Sequence, residues 1–220
     1  MKKKNWMLIL VMLILSCLVC GSLYASEKRN TATVTTHMYK DKEFLKYPQV
    51  SDMKKKKFEE KINKDFDQYI KNSYKQYKEI MKQAEQFGFE GQYVTTYEVK
   101  YNTKPKLSVL TSDYAFGGGA HGNTVVQSFN YCEEKEKRIY LTDILTTEEQ
   151  INAVTNYVWE YAIERPDIFY PDLKKEDINL TKDTAFYFTD DGIVLVFQQY
   201  EIAPYVSGNQ EIVIPSSIYK

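Results

Sequence analysis

Cysteine is scarce in this sequence, and only one cysteine lies beyond the first 25 residues. Of three cysteines, Cys17 and Cys20 lie in the first 25 residues, so Cys132 is alone in the remainder of the chain. A single thiol cannot form an internal disulfide, and we therefore expect a hydrophobic core to stabilise the fold. Cys132 ends a strand-like stretch beside two glutamates, and we interpret it as a strand-end residue rather than a reactive thiol.

Histidine is equally scarce, which limits the chemistry available. His37 and His121 are the only two, and no His-Glu-x-x-His motif is present. We therefore expect no metal and no other cofactor. No Gly-x-Ser-x-Gly motif indicates a serine hydrolase. A pair of carboxylates for glycoside cleavage stays open, because their spacing in space cannot be seen in a sequence.

Glycine, proline and net charge are also low. With 9 Gly, 6 Pro and a formal charge of -1, the chain has neither the composition of a disordered segment nor a basic field that would recruit nucleic acid. Large side chains are abundant instead, with 19 Tyr and 11 Phe. We expect a globular protein with an aromatic-rich core that does not bind nucleic acid.

The first 25 residues have the layout of a secretory signal. Lysines at 2–4 precede an uncharged apolar run that begins at Trp6, and small residues follow it. Three outcomes are open: the segment remains as a membrane anchor, Cys17 in its Leu-Ser-Cys context is lipidated, or a peptidase cuts after Ala25. In each outcome we expect the folded part to lie on the extracytoplasmic side.

The periodicity of the remaining residues predicts an α+β fold. A long amphipathic helix is expected from Ser51 or Asp52 to Gly88, with a lysine-rich outer face, and a shorter one from Thr146 or Thr147 to about 165. Strand patterns joined by short turns predict an antiparallel sheet on which both helices pack. These patterns fall at 32–50, 93–101, 107–114, 124–131, 138–141, 185–189, 192–198 and 211–214.

Two segments are candidates for a binding site. In the first, Gly117, Gly118 and Gly119 precede His121, so the backbone could cradle a ligand with the imidazole beside it, or the glycines could simply form a tight turn between strands. The second, 200–208, contains Tyr200, Glu201 and Tyr205 and could form a sugar-stacking surface or an ordered loop packed on the sheet. Asp143 is a further candidate carboxylate.

Five short motifs in order carry a family resemblance. They are Phe-Gly-Gly-Gly-Ala-His-Gly at 116–122, Leu-Thr-Asp-Ile-Leu at 141–145, Phe-Thr-Asp-Asp-Gly at 188–192, 200–208, and Ile-Val-Ile-Pro at 212–215. Over 32–218, the chain resembles the extracytoplasmic module shared by RsiV-type anti-sigma factors and PdaC-type peptidoglycan deacetylases. The resemblance implies two parts, which we place at 26–114 and 115–220.

The resemblance also implies a role. The RsiV version of the module binds lysozyme, and in the deacetylases the module precedes a separate catalytic domain. No sigma-binding segment and no deacetylase domain are recognised in this sequence. We therefore expect a non-catalytic cell-envelope protein that binds a lysozyme-type muramidase or peptidoglycan glycan. Two alternatives stay open: an unrecognised wall hydrolase that uses His121 with a carboxylate, and an auxiliary subunit of a membrane complex that docks through the lysine-faced helix.

Overall fold

The computed structural model describes residues 30–220. The predicted export segment, 1–25, and its lipidation candidate Cys17 therefore lie outside the described residues. Over 30–220, no helix combines the length and the apolar character needed to cross a membrane.

The long helix, α1, runs from Lys56 to Phe87. Its apolar residues recur at three- and four-residue steps, so they share one face that packs on the sheet below it. The helix ends at Gly88, which adopts a left-handed conformation (φ 73°) and donates its N–H to the last turn. The predicted helix and its end are thus confirmed. The buried residues are Phe58, Ile62, Phe66, Tyr69, Ile70, Ser73 and Ala84.

The predicted start of α1 at Ser51 or Asp52 is wrong. Ser51 is the last residue of a strand, and Asp52 has a left-handed backbone (φ 63°) that cannot continue into a right-handed helix. Glu59 in the first turn accepts a hydrogen bond from the N–H of Met53 at 2.9 Å and so binds the connecting segment. The helix begins three or four residues later than the capping pattern indicated, because the chain must first turn away from the strand.

Three antiparallel sheets form the rest of the framework, where the sequence predicted one. The α+β class is confirmed, but the strands fall into three separate sheets, of which the long helix packs on the two-stranded and the four-stranded one. The two-stranded sheet is β1 (Thr33–Met38) and β2 (Lys46–Ser51). The four-stranded sheet is β3 (Gln92–Thr103), β4 (Lys106–Phe116), β5 (Asn123–Cys132) and β6 (Lys137–Ile139). The three-stranded sheet is β7 (Ala185–Phe188), β8 (Gly192–Phe197) and β9 (Gln210–Pro215).

The second helix, α2, runs from Glu148 to Ile163 and covers the three-stranded sheet. Thr147 caps its first turn: the Thr147 hydroxyl accepts from the Gln150 N–H, and the Gln150 side chain accepts from the Thr147 N–H. Val154, Val158 and Ala162 face the sheet and are fully buried. The capping box predicted from the sequence is confirmed.

Strand β4 lies in the middle of the molecule, with α1 on one face and the three-stranded sheet on the other. Leu107 and Val109 point towards the core under α1, whereas Leu110 packs with Ala185 and Val196 of the three-stranded sheet. Successive side chains of a strand point to opposite faces, so one strand can serve both cores. Strand β5 behaves in the same way. Cys132 is its last residue, as predicted, and is buried.

Polar side chains of the four-stranded sheet join it to the three-stranded sheet by hydrogen-bonding the backbone groups at the free edge of β7. The N–H groups of Phe186 and Phe188 donate to the hydroxyls of Ser128 (3.1 Å) and Ser108 (3.0 Å). The Asn130 amide donates to the Phe186 carbonyl at 2.8 Å. An edge strand needs partners for its exposed backbone groups, and these polar side chains supply them in a buried interface.

Candidate functional site

The glycine-rich loop at 117–122 connects β4 to β5. Gly118 and Gly119 have φ of 122° and 102°, which side chains other than glycine rarely adopt. A Cβ atom on Gly118 would lie 2.4 Å from the ring of Phe89, just after α1, whereas one on Gly119 would meet nothing within 4 Å. Gly117 packs against Gln83 of α1. The loop is therefore held by the end of the long helix, and its glycines allow that close approach.

His121 projects from this loop and is exposed. Its Nδ1 lies 2.9 Å from the carbonyl oxygen of Gly122, and its Nε2 lies 3.2 Å from the hydroxyl of Tyr200. A carbonyl oxygen can only accept, so Nδ1 carries the hydrogen, and in the neutral ring Nε2 accepts from the Tyr200 hydroxyl. The imidazole is thus oriented by a backbone carbonyl and a phenol.

The loop between β8 and β9 reaches His121 because two glutamines attach it to β5. The Gln198 amide exchanges two hydrogen bonds with the backbone of Val126, at 2.9 and 2.8 Å, as a neighbouring strand would. The Gln199 side chain accepts from the N–H of Thr124 at 2.7 Å. Sequence reasoning missed both residues, because a glutamine pair carries no signal until the free edge of β5 is known.

Three rings from the two loops form what we call the aromatic cluster: His121, Tyr200 and Tyr205. The ring of His121 stacks on that of Tyr205 with 3.8 Å between centroids and 20° between planes. Tyr200 lies 5.7 Å from Tyr205 and is 51% exposed. Beside them, the Val206 side chain is 90% exposed. The structure therefore brings the two predicted segments together into one solvent-facing surface.

Glu201 lies next to this cluster in the chain but has a local role. Its carboxylate accepts a hydrogen bond from the N–H of Gln198 at 2.7 Å and closes its own turn. Burial raises the pKa of Glu201, and the Gln198 N–H only partly opposes that shift. The Glu201 carboxylate therefore points towards the backbone of its own loop, and it stabilises the loop that presents Tyr200 and Tyr205.

Asp143 lies apart from the cluster. Its carboxylate forms an ion pair with Lys137 at 2.8 Å and accepts from the N–H of Tyr140 at 2.8 Å. The hydrogen bond from Lys137, followed by that from the Tyr140 N–H, lowers the pKa of Asp143. Lys137 pairs with the last residue of β5, whereas His121 precedes the first. At about 3.3 Å per residue, the length of β5 puts roughly 30 Å between these two ends.

A polar network under α1 was missed by the sequence reasoning. Asp113 on β4 accepts hydrogen bonds from the hydroxyls of Tyr69, Ser73 (2.6 Å) and Tyr93 (2.7 Å). Burial, and then the charge of Asp113, raises the pKa of Tyr69 and of Tyr93 far above the ordinary range. The sequence did contain a signal for this network. Asp113 continues the alternation by which Leu107 and Val109 point inward, and a polar residue on that buried face needs hydrogen-bond partners.

Within 30–220, no group of three or more His, Cys, Asp or Glu side chains is arranged to hold a metal ion. The chemistry available at the aromatic cluster is ring stacking together with hydrogen bonding from a phenol and an imidazole.

Comparisons with known proteins agree with the resemblance found in the motifs. The family model described as "Deacetylase PdaC" matches residues 37–124, and the model of a protein family of unknown function, DUF3298, matches 142–217. A curated relative, the peptidoglycan-N-acetylmuramic acid deacetylase PdaC of Bacillus subtilis, is 28% identical over 128 residues. The match covers 56% of this chain and 27% of that protein, so the chain spans about a quarter of the relative.

Two solved structures are also similar. A DUF3298 family member from Bacteroides fragilis matches with a TM-score of 0.59 and 17% identity, and the match covers 86% of this chain and 93% of that one. A DUF3298 family protein from Pseudomonas aeruginosa reaches 0.45 with 21% identity over 58% and 60% of the two chains. The first shows that the fold is shared. The chain thus matches a PdaC-like region followed by a DUF3298 region, in the order of the two-part module that its sequence motifs predicted.

Proposed function

We propose that this chain is a non-catalytic cell-envelope protein and that its aromatic cluster binds the glycan of the cell wall. The observation that supports this proposal is the stacking of His121, Tyr200 and Tyr205 on a solvent-facing surface. Aromatic rings offer apolar faces to the C–H groups of a sugar, and a phenol and an imidazole offer hydrogen bonds to its hydroxyls. The matched relative is named for an action on peptidoglycan, which makes the same polymer the first candidate.

The hydrogen bonds of His121 support a binding role over a catalytic one. A histidine that acts as a general base is normally within reach of a nucleophile and oriented by a carboxylate. Here the ring nitrogens are engaged by Gly122 and Tyr200. The runner-up hydrolase would need one of the candidate carboxylates beside His121, but Asp143 lies at the far end of β5 and Glu201 is bonded to Gln198.

Titration calorimetry of the full chain, kept in solution with mild detergent, tests the glycan proposal. The probe is a peptide-free oligomer of alternating N-acetylglucosamine and N-acetylmuramic acid. We expect Tyr205→Ala to weaken binding by about 1–2 kcal/mol, as for an interface anchor. Tyr97→Ala, which removes a tyrosine from β3, is the matched control and should leave affinity unchanged. Absence of binding by the wild type at millimolar glycan would reject the proposal.

A lysozyme-type muramidase is the second candidate partner, and the exposure of Val206 favours it. A fully solvated aliphatic side chain beside three rings is typical of a protein-binding surface. Because Asp143 and Glu201 do not form one acidic edge, we expect such an association to depend weakly on salt. Calorimetry with lysozyme at low and moderate salt tests this, and no heat at high micromolar concentration would exclude lysozyme.

We also propose that the protein acts on the extracytoplasmic face of the membrane, held there by the segment before residue 26. The lysines at 2–4, the uncharged run after Trp6 and the Leu-Ser-Cys context of Cys17 support this location. Membrane fractionation of the wild type and of Cys17→Ala is the test. Wild-type protein found wholly in the medium would reject both anchored forms. Release of Cys17→Ala alone would identify the lipidated form.

A further inference from the structure

A cleft of about 320 Å³ opens at the end of β5 opposite the aromatic cluster. Its walls come from turns of different sheets. The four-stranded sheet contributes Lys106 and the turn at 133–136, and the three-stranded sheet contributes the turn at 190–192. A cavity at the junction of two packed units is the usual place for a small ligand, and this volume suits a short molecule rather than a polymer strand.

The two walls carry opposite charges that they do not use on each other. Among residues 30–220, no ion pair involves Lys106, Lys135 or Asp191. In the turn at 190–192, the Asp190 carboxylate accepts a hydrogen bond from the Tyr101 hydroxyl at 3.1 Å. Asp191 is therefore the acid of this turn that we expect to pair with a ligand. The other charged residues that line the cleft are Asp143, which pairs with Lys137, and the exposed Glu134 and Lys220.

The floor between these walls is apolar. Phe188, Ile193 and Ile139 line it and are buried. The ammonium group of Lys106 lies 4.5 Å from the centroid of the Phe188 ring, so a cation–π contact holds it at the edge of the floor. Of the three cations that line the cleft, Lys106 is thus the one fixed at the apolar floor, whereas Lys135 and Lys220 are exposed.

These features together define the ligand. A purely anionic ligand such as a nucleotide would meet Asp191, and a purely cationic one would meet Lys106. A molecule with a carboxylate at one end, an amine at the other and a small aliphatic part between them satisfies both walls and the floor. We propose that the cleft binds a short zwitterionic peptide, such as the stem peptide of the cell wall. This inference rests on the proposed cell-wall role but uses a site separate from the aromatic cluster.

The test is titration calorimetry of the full chain in mild detergent with the tripeptide L-Lys-D-Ala-D-Ala. We expect Lys106→Gln and Asp191→Asn each to weaken binding about fivefold, the effect of losing one partly exposed ion pair. Lys104→Gln, in the same turn as Lys106 but outside the cleft, is the matched control and should bind like the wild type. The same tripeptide with its amines acetylated and its carboxylate amidated should bind at least about tenfold more weakly.

Failure of the wild type to bind the tripeptide at millimolar concentration would overturn the inference, and so would equal binding of the blocked tripeptide. Unchanged affinity in both Lys106→Gln and Asp191→Asn would place the peptide elsewhere and also overturn it. The peptide-free glycan separates this site from the proposed function. Glycan binding that Tyr205→Ala weakens and Lys106→Gln does not, without tripeptide binding, leaves the glycan role standing and rejects the cleft.

Discussion

The hydroxyl of Tyr200 lies 3.2 Å from Nε2 of His121, although the two residues are 79 positions apart in the chain. Tyr200 reaches this position with a left-handed backbone, φ 67°, which costs an aromatic residue about 1–2 kcal/mol. Strained residues that face solvent concentrate at binding sites, because the surrounding structure must be built to hold them. The strain at Tyr200 therefore agrees with a role for its side chain outside the fold itself.

This relationship predicts that Tyr200 contributes more to binding than to stability. In Tyr200→Asn the ring is lost, but asparagine adopts the left-handed conformation more easily. We expect the free energy of unfolding to stay within about 0.5 kcal/mol of wild type while glycan affinity falls. Tyr205→Asn is the comparison, because its backbone is not left-handed, and it should lose stability as well as affinity. Urea unfolding measures the first quantity, and a large loss of stability in Tyr200→Asn would make that residue structural.

The glycine loop gives a prediction with its own internal control. Gly118→Ala and Gly119→Ala both place a side chain at positive φ, but only the first puts a Cβ against the Phe89 ring. We expect Gly118→Ala to be less stable than Gly119→Ala by about 1–3 kcal/mol, the cost of overpacking. Equal stability of the two variants would show that Phe89 moves away freely. The double variant Gly118→Ala with Phe89→Ala should recover most of the difference.

Asp113 should be a structural residue in spite of its polar surroundings. Asp113→Ala removes the acceptor shared by Tyr69, Ser73 and Tyr93. Ser73 and Tyr93 keep the Tyr69 carbonyl and the Gln76 side chain as acceptors, so the main cost, about 1–3 kcal/mol, falls on the buried Tyr69 hydroxyl. The control is Ser112→Ala, one position away on the opposite face of β4. Urea unfolding should show a large loss for Asp113→Ala and a small one for Ser112→Ala. Similar stabilities would mean that water replaces the carboxylate.

The raised pKa of Glu201 predicts how the free energy of unfolding depends on pH. Burial raises its pKa above the ordinary 4.5, so the folded state binds this proton more tightly than the unfolded chain does. Its contribution is therefore present in full below the unfolded pKa and is lost as the pH rises through the folded one. Glu201→Gln keeps an oxygen for the Gln198 N–H without the charge.

We accordingly expect Glu201→Gln to be at least as stable as the wild type at pH 7, and this advantage should shrink as the pH falls towards 4.5. Urea unfolding at several pH values measures it. Glu160→Gln, which changes an exposed glutamate on α2, should show no such trend. An advantage of Glu201→Gln that grows on acidification would contradict the assigned direction.

Much of the fold follows from local patterns. The apolar face of α1, the Thr147–Gln150 capping box and the strand alternations depend on neighbouring residues, so they can be recognised without the partner surface. The start of α1 could not be recognised, because Ser51 resembles a cap but is used by β2. The division into three sheets could not be recognised either, since the partner of each strand is decided by contacts between residues far apart in the sequence.

The sequence by itself determined the α+β class, the two helices and the order of the regions that match the PdaC and DUF3298 family models. Only the tertiary structure decided that His121 meets Tyr200 and Tyr205, because the contact depends on Gln198 and Gln199 binding the free edge of β5. It likewise separated Asp143 from them and placed Lys106 and Asp191 on one cleft. Periodicity reports which face of an element is buried, but the distance between two loops is set by how the sheets pack.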